Sequence, residues 1–475
     1  MHQTRTVLPN QFEPNDHYYP RVLNATLHPQ VRFFFSMGNE RIAERYCHLH
    51  PEANAETVRA LLQRKTRYFR WGGSDLFYAA DDEGRRQVVV IETNSCPSGQ
   101  KSMPWHDEHL EQSGYRKLLE RSFIPMTLRR TLPPGQLAVL YDKNLMEASG
   151  YAATLADLTG ESVLLVPCYD GESEHIRFVD GVLEVHEGGS WIPIRACLRY
   201  VTQRPWNRIP PLTRTMIYNP IVVCLAGGRN KMLASKAYEM FNGELSRSGL
   251  CIRTPETIWD VTRAQVPFWV ERLGGVAVVK VPYSNAGQGV YTIVNHEELD
   301  AFMSSEQHYE RYIVQALVGN SGWSSQGRDG RLYHVGTMPD RNNNIYVADL
   351  RCMVGCEPAG FFPVAIYARR ARTPLSKALE SGHSSWEMLG TNLSIKESSG
   401  EWATEPQRLL LMDSRDFNKI GVGLDEIIEA YLLTVLAMLA IDRMAVELVT
   451  QKNRFRRKFF GNMNPDDGLL SELMP

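Results

Sequence analysis

The sequence predicts a mixed α/β (α+β) protein built from two or three domains, and three observations carry that prediction. Its 475 residues exceed what a single hydrophobic core normally supports. Apolar runs of strand length alternate with a helical segment at 136–141, 145–159 and 162–167, the pattern of a βαβ unit with buried parallel strands. Farther on, apolar runs at 276–281, 290–294 and 312–317 are separated by a glycine-bearing loop and a helix at 297–304, which suits a small α+β lobe whose sheet faces a ligand.

The other elements follow in order. After the polar turn Asp81-Asp82-Glu83-Gly84, the run 88–91 reads as a hairpin strand, and Glu92-Thr93-Asn94-Ser95-Cys96-Pro97-Ser98-Gly99 comes directly behind it. Residues 219–226 read as a further buried strand, followed by Gly227-Gly228 and a lysine-containing helix from 229 to 242. Strands are expected at 347–354 and 361–367, then a polar stretch at 382–405 and a long helix at 424–443. Segment 324–344, rich in Gly, Ser, Asn, Asp and Arg, is expected to be a mobile loop.

Composition narrows the function. Hydrophobic residues make up 43% and charged residues 22%, the balance of a globular protein. A formal charge of -2 and the lack of a polybasic run speak against nucleic acid or anionic membrane as partner, so any polyanion must be met locally. No apolar run reaches the roughly 18 residues of a membrane span, and the first residues lack the pattern of a secretory signal. Cytoplasmic residence is the default expectation. Eight dispersed cysteines without a CxxC pair fit a reducing compartment.

Four constellations suggest chemistry. Lys280 ends a strand and precedes a loop containing Ser284, Asn285, Gly287, Gln288 and Gly289. A cation beside uncrowded backbone N–H groups is what a polyphosphate needs; the plain alternative is a hairpin with an incidental lysine. The order strand, loop, strand excludes a P-loop and a dinucleotide fingerprint, both of which lead into a helix. Gln315, Ala316 and Leu317 end a strand suited to pin a flat purine through main-chain groups, or simply form a core strand. Arg351 lies in an apolar strand, where burial demands an anion, either an acyl or terminal phosphate or the nearby Asp349. Asp75, Glu92 and Asn94 offer hard oxygens that suit magnesium if their strands are neighbours, and are otherwise solvated acids.

Taken in order, these motifs resemble the ATP-grasp superfamily, in particular its circularly permuted carboxylate–amine ligases. The resemblance implies that Lys231 and Lys280 enter the nucleotide pocket, that the 284–289 loop covers the phosphates and that Gln315, Ala316 and Leu317 hold adenine. It further implies Arg351 and Lys280 as catalytic residues, and Asp75, Glu92 and Asn94 as magnesium ligands. In the usual order the E-x-N strand comes last, whereas here it precedes the rest. Circular permutation explains this, because chain termini commonly lie close together. A competing assignment keeps the usual order with Glu447 and Asn464, but Asn462 then stands where the E-x-N glutamate belongs.

The implied fold has two α+β lobes around the nucleotide and a pre-ATP-grasp α/β domain. The corresponding divisions are 1–115 (permuted part of the large lobe, with the metal motif), 116–226 (pre-ATP-grasp domain), 227–345 (small lobe) and 346–475 (rest of the large lobe). The implied activity is amide formation from a small-molecule carboxylate and an amine, an amino acid or peptide among them, through an acyl phosphate with release of ADP and phosphate. ATP and Mg2+ are the expected cofactors, and a homodimer is allowed. A phosphotransferase or a non-catalytic nucleotide-binding protein are the alternatives. Arg199 and Arg204, in an arginine- and aromatic-rich segment, are candidates to orient the carboxylate substrate, or else belong to a surface turn.

Overall fold

The computed structural model describes residues 3–107, 109–171, 174–284, 289–379, 384–396 and 402–473. Its central element is a six-stranded antiparallel sheet in the order Tyr333–His334, Trp71–Ala80, Ala348–Glu357, Gly360–Arg370, Leu409–Leu410, with Arg86–Ser95 also paired to Trp71–Ala80. Strand alternation gives its faces different chemistry. Leu76, Leu350, Cys352 and Ala368 are buried toward the helix Leu424–Glu447, whose Met438 lies so close to Gly72 that a Cβ there would meet its side chain. Each large aliphatic residue buried in this way contributes about 1.5–3 kcal/mol. Asp75, Asp349, Arg351, Tyr367 and Arg369 stand on the opposite face, which lines a cavity.

The long helix lies beside the N-terminal part of the chain. Asp442 near its end accepts hydrogen bonds from the backbone N–H groups of Arg67, Tyr68 and Phe69 at 2.9, 2.7 and 2.8 Å, fixing the entry into strand Trp71–Ala80. No helix among the described residues is long and apolar enough to cross a membrane.

A second, seven-stranded sheet contains the expected βαβ unit: Gln136–Tyr141, helix Leu145–Thr159, and Val163–Pro167 parallel to the first strand. Strand Ser190–Tyr200 lies on the other side of Gln136–Tyr141, also parallel. The third sheet is antiparallel, ordered Thr257–Thr262, Arg311–Gln315, Ala277–Lys280, Val290–Ile293, with helices Val266–Arg272 and His296–Ser304.

One expected strand is absent from its place. Residues 219–226 are helical, Ile221–Val223 running into a π-turn at Cys224–Gly228, and the strand is the shorter Met216–Tyr218 just before. A short apolar run is compatible with either a buried strand or a buried helix, and Pro220 at the helix N-cap decides for the helix.

Candidate active site

The small sheet, the six-stranded sheet and the segments that follow strands of the seven-stranded sheet line one cavity of about 590 Å³. The small sheet supplies Lys280 and Gln315, and the six-stranded sheet supplies Asp75, Glu92, Asn94 and Arg351. Asp142 and Lys143, at the carboxyl end of Gln136–Tyr141, close the far wall. The N-terminal oxygen donors and the mid-chain lysine therefore share a cavity, and Lys280 Nζ lies 3.4 Å from the carbonyl of Ile91, the residue before Glu92.

Lys280 is buried at the end of its strand, where its Nζ donates to Gln315 Oε1 at 2.6 Å. Burial, helped by the charge of Lys231, brings its pKa down to about 8, against the opposing pull of Glu92. Lys231 begins helix Lys231–Leu245, whose N-terminus is capped by the Asn230 side chain accepting from Leu233 N at 3.1 Å. Its Nζ donates to Ser284 O at 2.8 Å and lies 3.4 Å from Glu92 Oε1. Two ammonium groups thus converge on Glu92. Gly289 has φ +64, and a Cβ there would approach that of Val281 to 2.8 Å, so this end of the loop requires glycine. Asn285, Gly287 and Gln288 lie outside the described residues.

The oxygen donors are aimed by a β-bulge: Asp75 pairs with Glu92, Leu76 pairs with Val90, and Ile91 is the extra residue. Glu92 keeps a partly exposed carboxylate in the cavity. Asn94 Oδ1 accepts from Arg229 Nη1 at 2.7 Å, while its buried Nδ2 has no hydrogen-bond partner among the described residues. Asp75, expected as a metal ligand, is differently engaged. Arg351, its cross-strand neighbour, grips both its oxygens at 2.5 and 2.6 Å, and Arg369 lies 3.1 Å from the second. Burial pushes the Asp75 carboxyl up, but the two guanidiniums outweigh it and hold the group well below the usual carboxylate range. A cation bound to Asp75 would have to displace an arginine. The same holds for Asn94, whose Oδ1 is taken by Arg229; Glu92 fits magnesium, which commonly takes one or two carboxylates and completes its shell with phosphate oxygens and water.

Arg369 also pairs with Asp349, which accepts from Thr391 Oγ1 at 2.9 Å, so the wall is an alternating carboxylate and guanidinium array. Arg351 Nη1 reaches Ser98 O at 3.3 Å, and Tyr367 Oη donates to the same oxygen at 2.8 Å. Close packing under this array requires Gly99, where a Cβ would meet the Tyr367 ring at 2.3 Å.

Phe77, Ile91, Val278, Leu317 and His334 form an apolar part of the cavity. Burial lowers the His334 pKa to about 3, so its ring is neutral. Beside it, Ala316 N donates to Glu256 O at 2.8 Å and Leu317 N to Ser325 Oγ at 2.7 Å. A purine here would be held by the apolar walls and not by those two amides.

Other expected residues lie elsewhere. Arg199 is fully buried in the parallel sheet, donating to Asn219 O at 2.6 Å, to Val201 O and to Ser95 Oγ at 3.3 Å. Arg204 is half exposed, 3.7 Å from Glu472 and over the Tyr309 ring. Neither lines the cavity; of that segment Gln203 does. Glu447 is exposed beside Arg456, and Asn464 is buried between Asn230 and Tyr283, so the competing metal pair is outside the cavity as well. Sequence reading passed over Lys101, Lys143, Arg229 and Arg369. The position of Lys143 just beyond a buried parallel strand was a usable signal, because ligands bind outside the carboxyl ends of such strands.

No family model matches the sequence, and no curated protein matches it. Among solved structures the fold is similar to a glutathione synthetase-like effector from Globodera pallida, at 8% identity and a TM-score of 0.38, over 73% of this chain and 86% of that one. It is similar to a RimK domain ATP-grasp protein from Sphaerobacter thermophilus, at 13% identity and a TM-score of 0.29, over 49% and 90% of the two chains. It is also similar to D-alanyl-alanine synthetase A from Vibrio cholerae, at 10% identity and a TM-score of 0.31, over 56% and 95%.

Proposed function

We propose that this chain is an ATP-dependent carboxylate–amine ligase that forms an amide through an acyl phosphate, releasing ADP and phosphate. The supporting observation is that Lys280, Glu92, Asn94 and Arg351, distant in sequence, line one cavity, while Lys231 stands 3.4 Å from Glu92 in a small adjoining pocket. The two lysines receive the triphosphate. Glu92 would hold magnesium, with Asn94 able to join only by releasing Arg229, and the ion would supply positive charge to neutralise the phosphate oxygens.

In the first step a carboxylate oxygen attacks the terminal phosphorus and the bond to the bridging oxygen breaks, so ADP leaves. Arg351, held in place by Asp75, stabilises charge on the transferring phosphoryl group. In the second step the amine nitrogen attacks the acyl carbon, the carbon–oxygen bond to phosphate breaks, and the nitrogen loses a proton. Residues 1–115 and 346–475 together read as one lobe, since strands from both build the six-stranded sheet. Residues 227–345, apart from the edge strand Tyr333–His334 that joins the six-stranded sheet, read as the second lobe and 116–226 as the accessory domain.

Phosphate release from ATP and magnesium, screened with pooled acids and amines, tests the reading. Release that requires both an acid and an amine supports it. ADP formed without any amine requirement makes the chain a phosphotransferase, and no turnover with any pool contradicts catalysis of either kind.

A further inference from the structure

The wall of the cavity farthest from the small sheet carries two lysines that the mechanism above does not use. Lys101 follows the Pro97-Ser98-Gly99 segment and is 8% exposed; its Nζ donates to Asn144 Oδ1 at 3.3 Å and lies 5.1 Å from the centre of the Tyr19 ring. Lys143 stands at the carboxyl end of strand Gln136–Tyr141, its Nζ 5.4 Å from the centre of the Tyr200 ring, with no hydrogen bond or ion pair to a described residue. Both line the cavity.

The acids nearby are already engaged. Asp142 accepts from the backbone of Thr202 and Gln203 and pairs with Arg208 at 3.1 Å. Glu147 accepts from Gly99 N at 2.8 Å and Gln100 N at 2.9 Å. Burial, with Arg229 adding repulsion, draws the Lys143 pKa down to about 7, the mark of an ammonium short of counter-charge.

This wall also adjoins Arg351. Ser98 O accepts from Arg351 and Tyr367, while Ser98 Oγ accepts from Asn144 Nδ2 at 2.6 Å and from Tyr200 Oη at 2.7 Å. Lys101 in turn donates to Asn144, so one series of hydrogen-bonded groups runs from the proposed phosphoryl-transfer arginine to Lys101, with Lys143 next to Asn144 in the chain. An acid activated beside Arg351 would extend its remaining atoms toward Lys101 and Lys143.

We propose that Lys101 and Lys143 form an anion subsite for the acid substrate, which therefore carries a second negatively charged group besides the carboxylate that reacts. The inference rests on the ligase reading for the identity of the occupant. A buried charge-assisted contact rejects a neutral isostere strongly, because the ammonium is then left unpaired.

The test is binding measured by calorimetry in the presence of magnesium and a non-hydrolysable ATP analogue. Two matched pairs serve as probes, L-glutamate with L-glutamine and succinate with succinamate. The wild-type chain is expected to bind the diacid at least about tenfold more tightly than its monoamide. Lys143→Met should remove that preference and Lys143→Arg should retain it, with the analogue bound equally well by both. Equal affinity within both pairs, or an unchanged preference in Lys143→Met, overturns the subsite. Phosphate release measured alongside separates the two claims. A charge preference without turnover on any acid sinks the ligase reading alone, and turnover on neutral-tailed acids without charge preference sinks the subsite alone.

Discussion

Asp75→Asn separates two roles that one carboxylate could play at this site. The change keeps the side-chain shape but removes the charge that faces Arg351 at 2.5 Å and Arg369 at 3.1 Å. Removing one member of a buried ion pair typically costs about 3–5 kcal/mol. Arg369 retains Asp349, and Arg351 retains its contacts to Ser98 O and Tyr367 Oη, which places the loss near the lower end, about 3 kcal/mol. A misplaced Arg351 no longer meets the transferring phosphoryl group, an effect of about 10²–10³ in kcat. Steady-state phosphate release across a magnesium titration reads both quantities. The expected result is a kcat about 100-fold lower with the magnesium half-saturation unchanged. A half-saturation about tenfold or more higher, with kcat restored by excess magnesium, would instead make Asp75 a metal ligand and refute the positioning role.

Other predictions follow from the same geometry. Lys280 has a pKa of about 8 and is charged below it, so kcat/KM for ATP should fall as pH rises through about 8. Lys280→Arg should move that limb upward, and an unmoved limb assigns it to another group. Gly289→Ala forces a side chain into a left-handed backbone and against Val281, a strain of about 1–3 kcal/mol that should raise KM for ATP at least about fivefold. An unchanged KM would remove this loop from the nucleotide site. Arg199→Met leaves the carbonyls of Asn219 and Val201 without their donor, so the melting temperature should drop by several degrees while KM for the acid stays as it was. A selective rise in that KM would return Arg199 to the substrate site.

The parts of this site that lay within one stretch of chain were legible in the sequence. Lys280 could be placed at a strand end because apolar residues lead up to it and glycines follow, and Glu92 and Asn94 because they continue the run 88–91. What sequence could not supply was cross-strand register. Asp75 reads as a metal ligand until strand Ala348–Glu357 sets Arg351 directly opposite it. Arg199 failed for a related reason: its aromatic neighbours suggested a recognition surface, whereas its guanidinium fastens backbone carbonyls inside the parallel sheet. The helix at Ile221–Val223 was hidden because the six apolar residues in a row at 221–226 have no distinguishing period. Lys101 and Lys143 become a pair only when the segment after Glu92 packs against the end of Gln136–Tyr141, a contact that depends on the tertiary fold.

The most direct measurement is a crystal structure of the chain with a non-hydrolysable ATP analogue and manganese in place of magnesium, located by its anomalous signal. The account predicts a triphosphate between Lys231 and Lys280 and a manganese peak coordinated by Glu92 and phosphate oxygens. A nucleotide bound outside this cavity, or a metal held at Glu447 and Asn464, would contradict it.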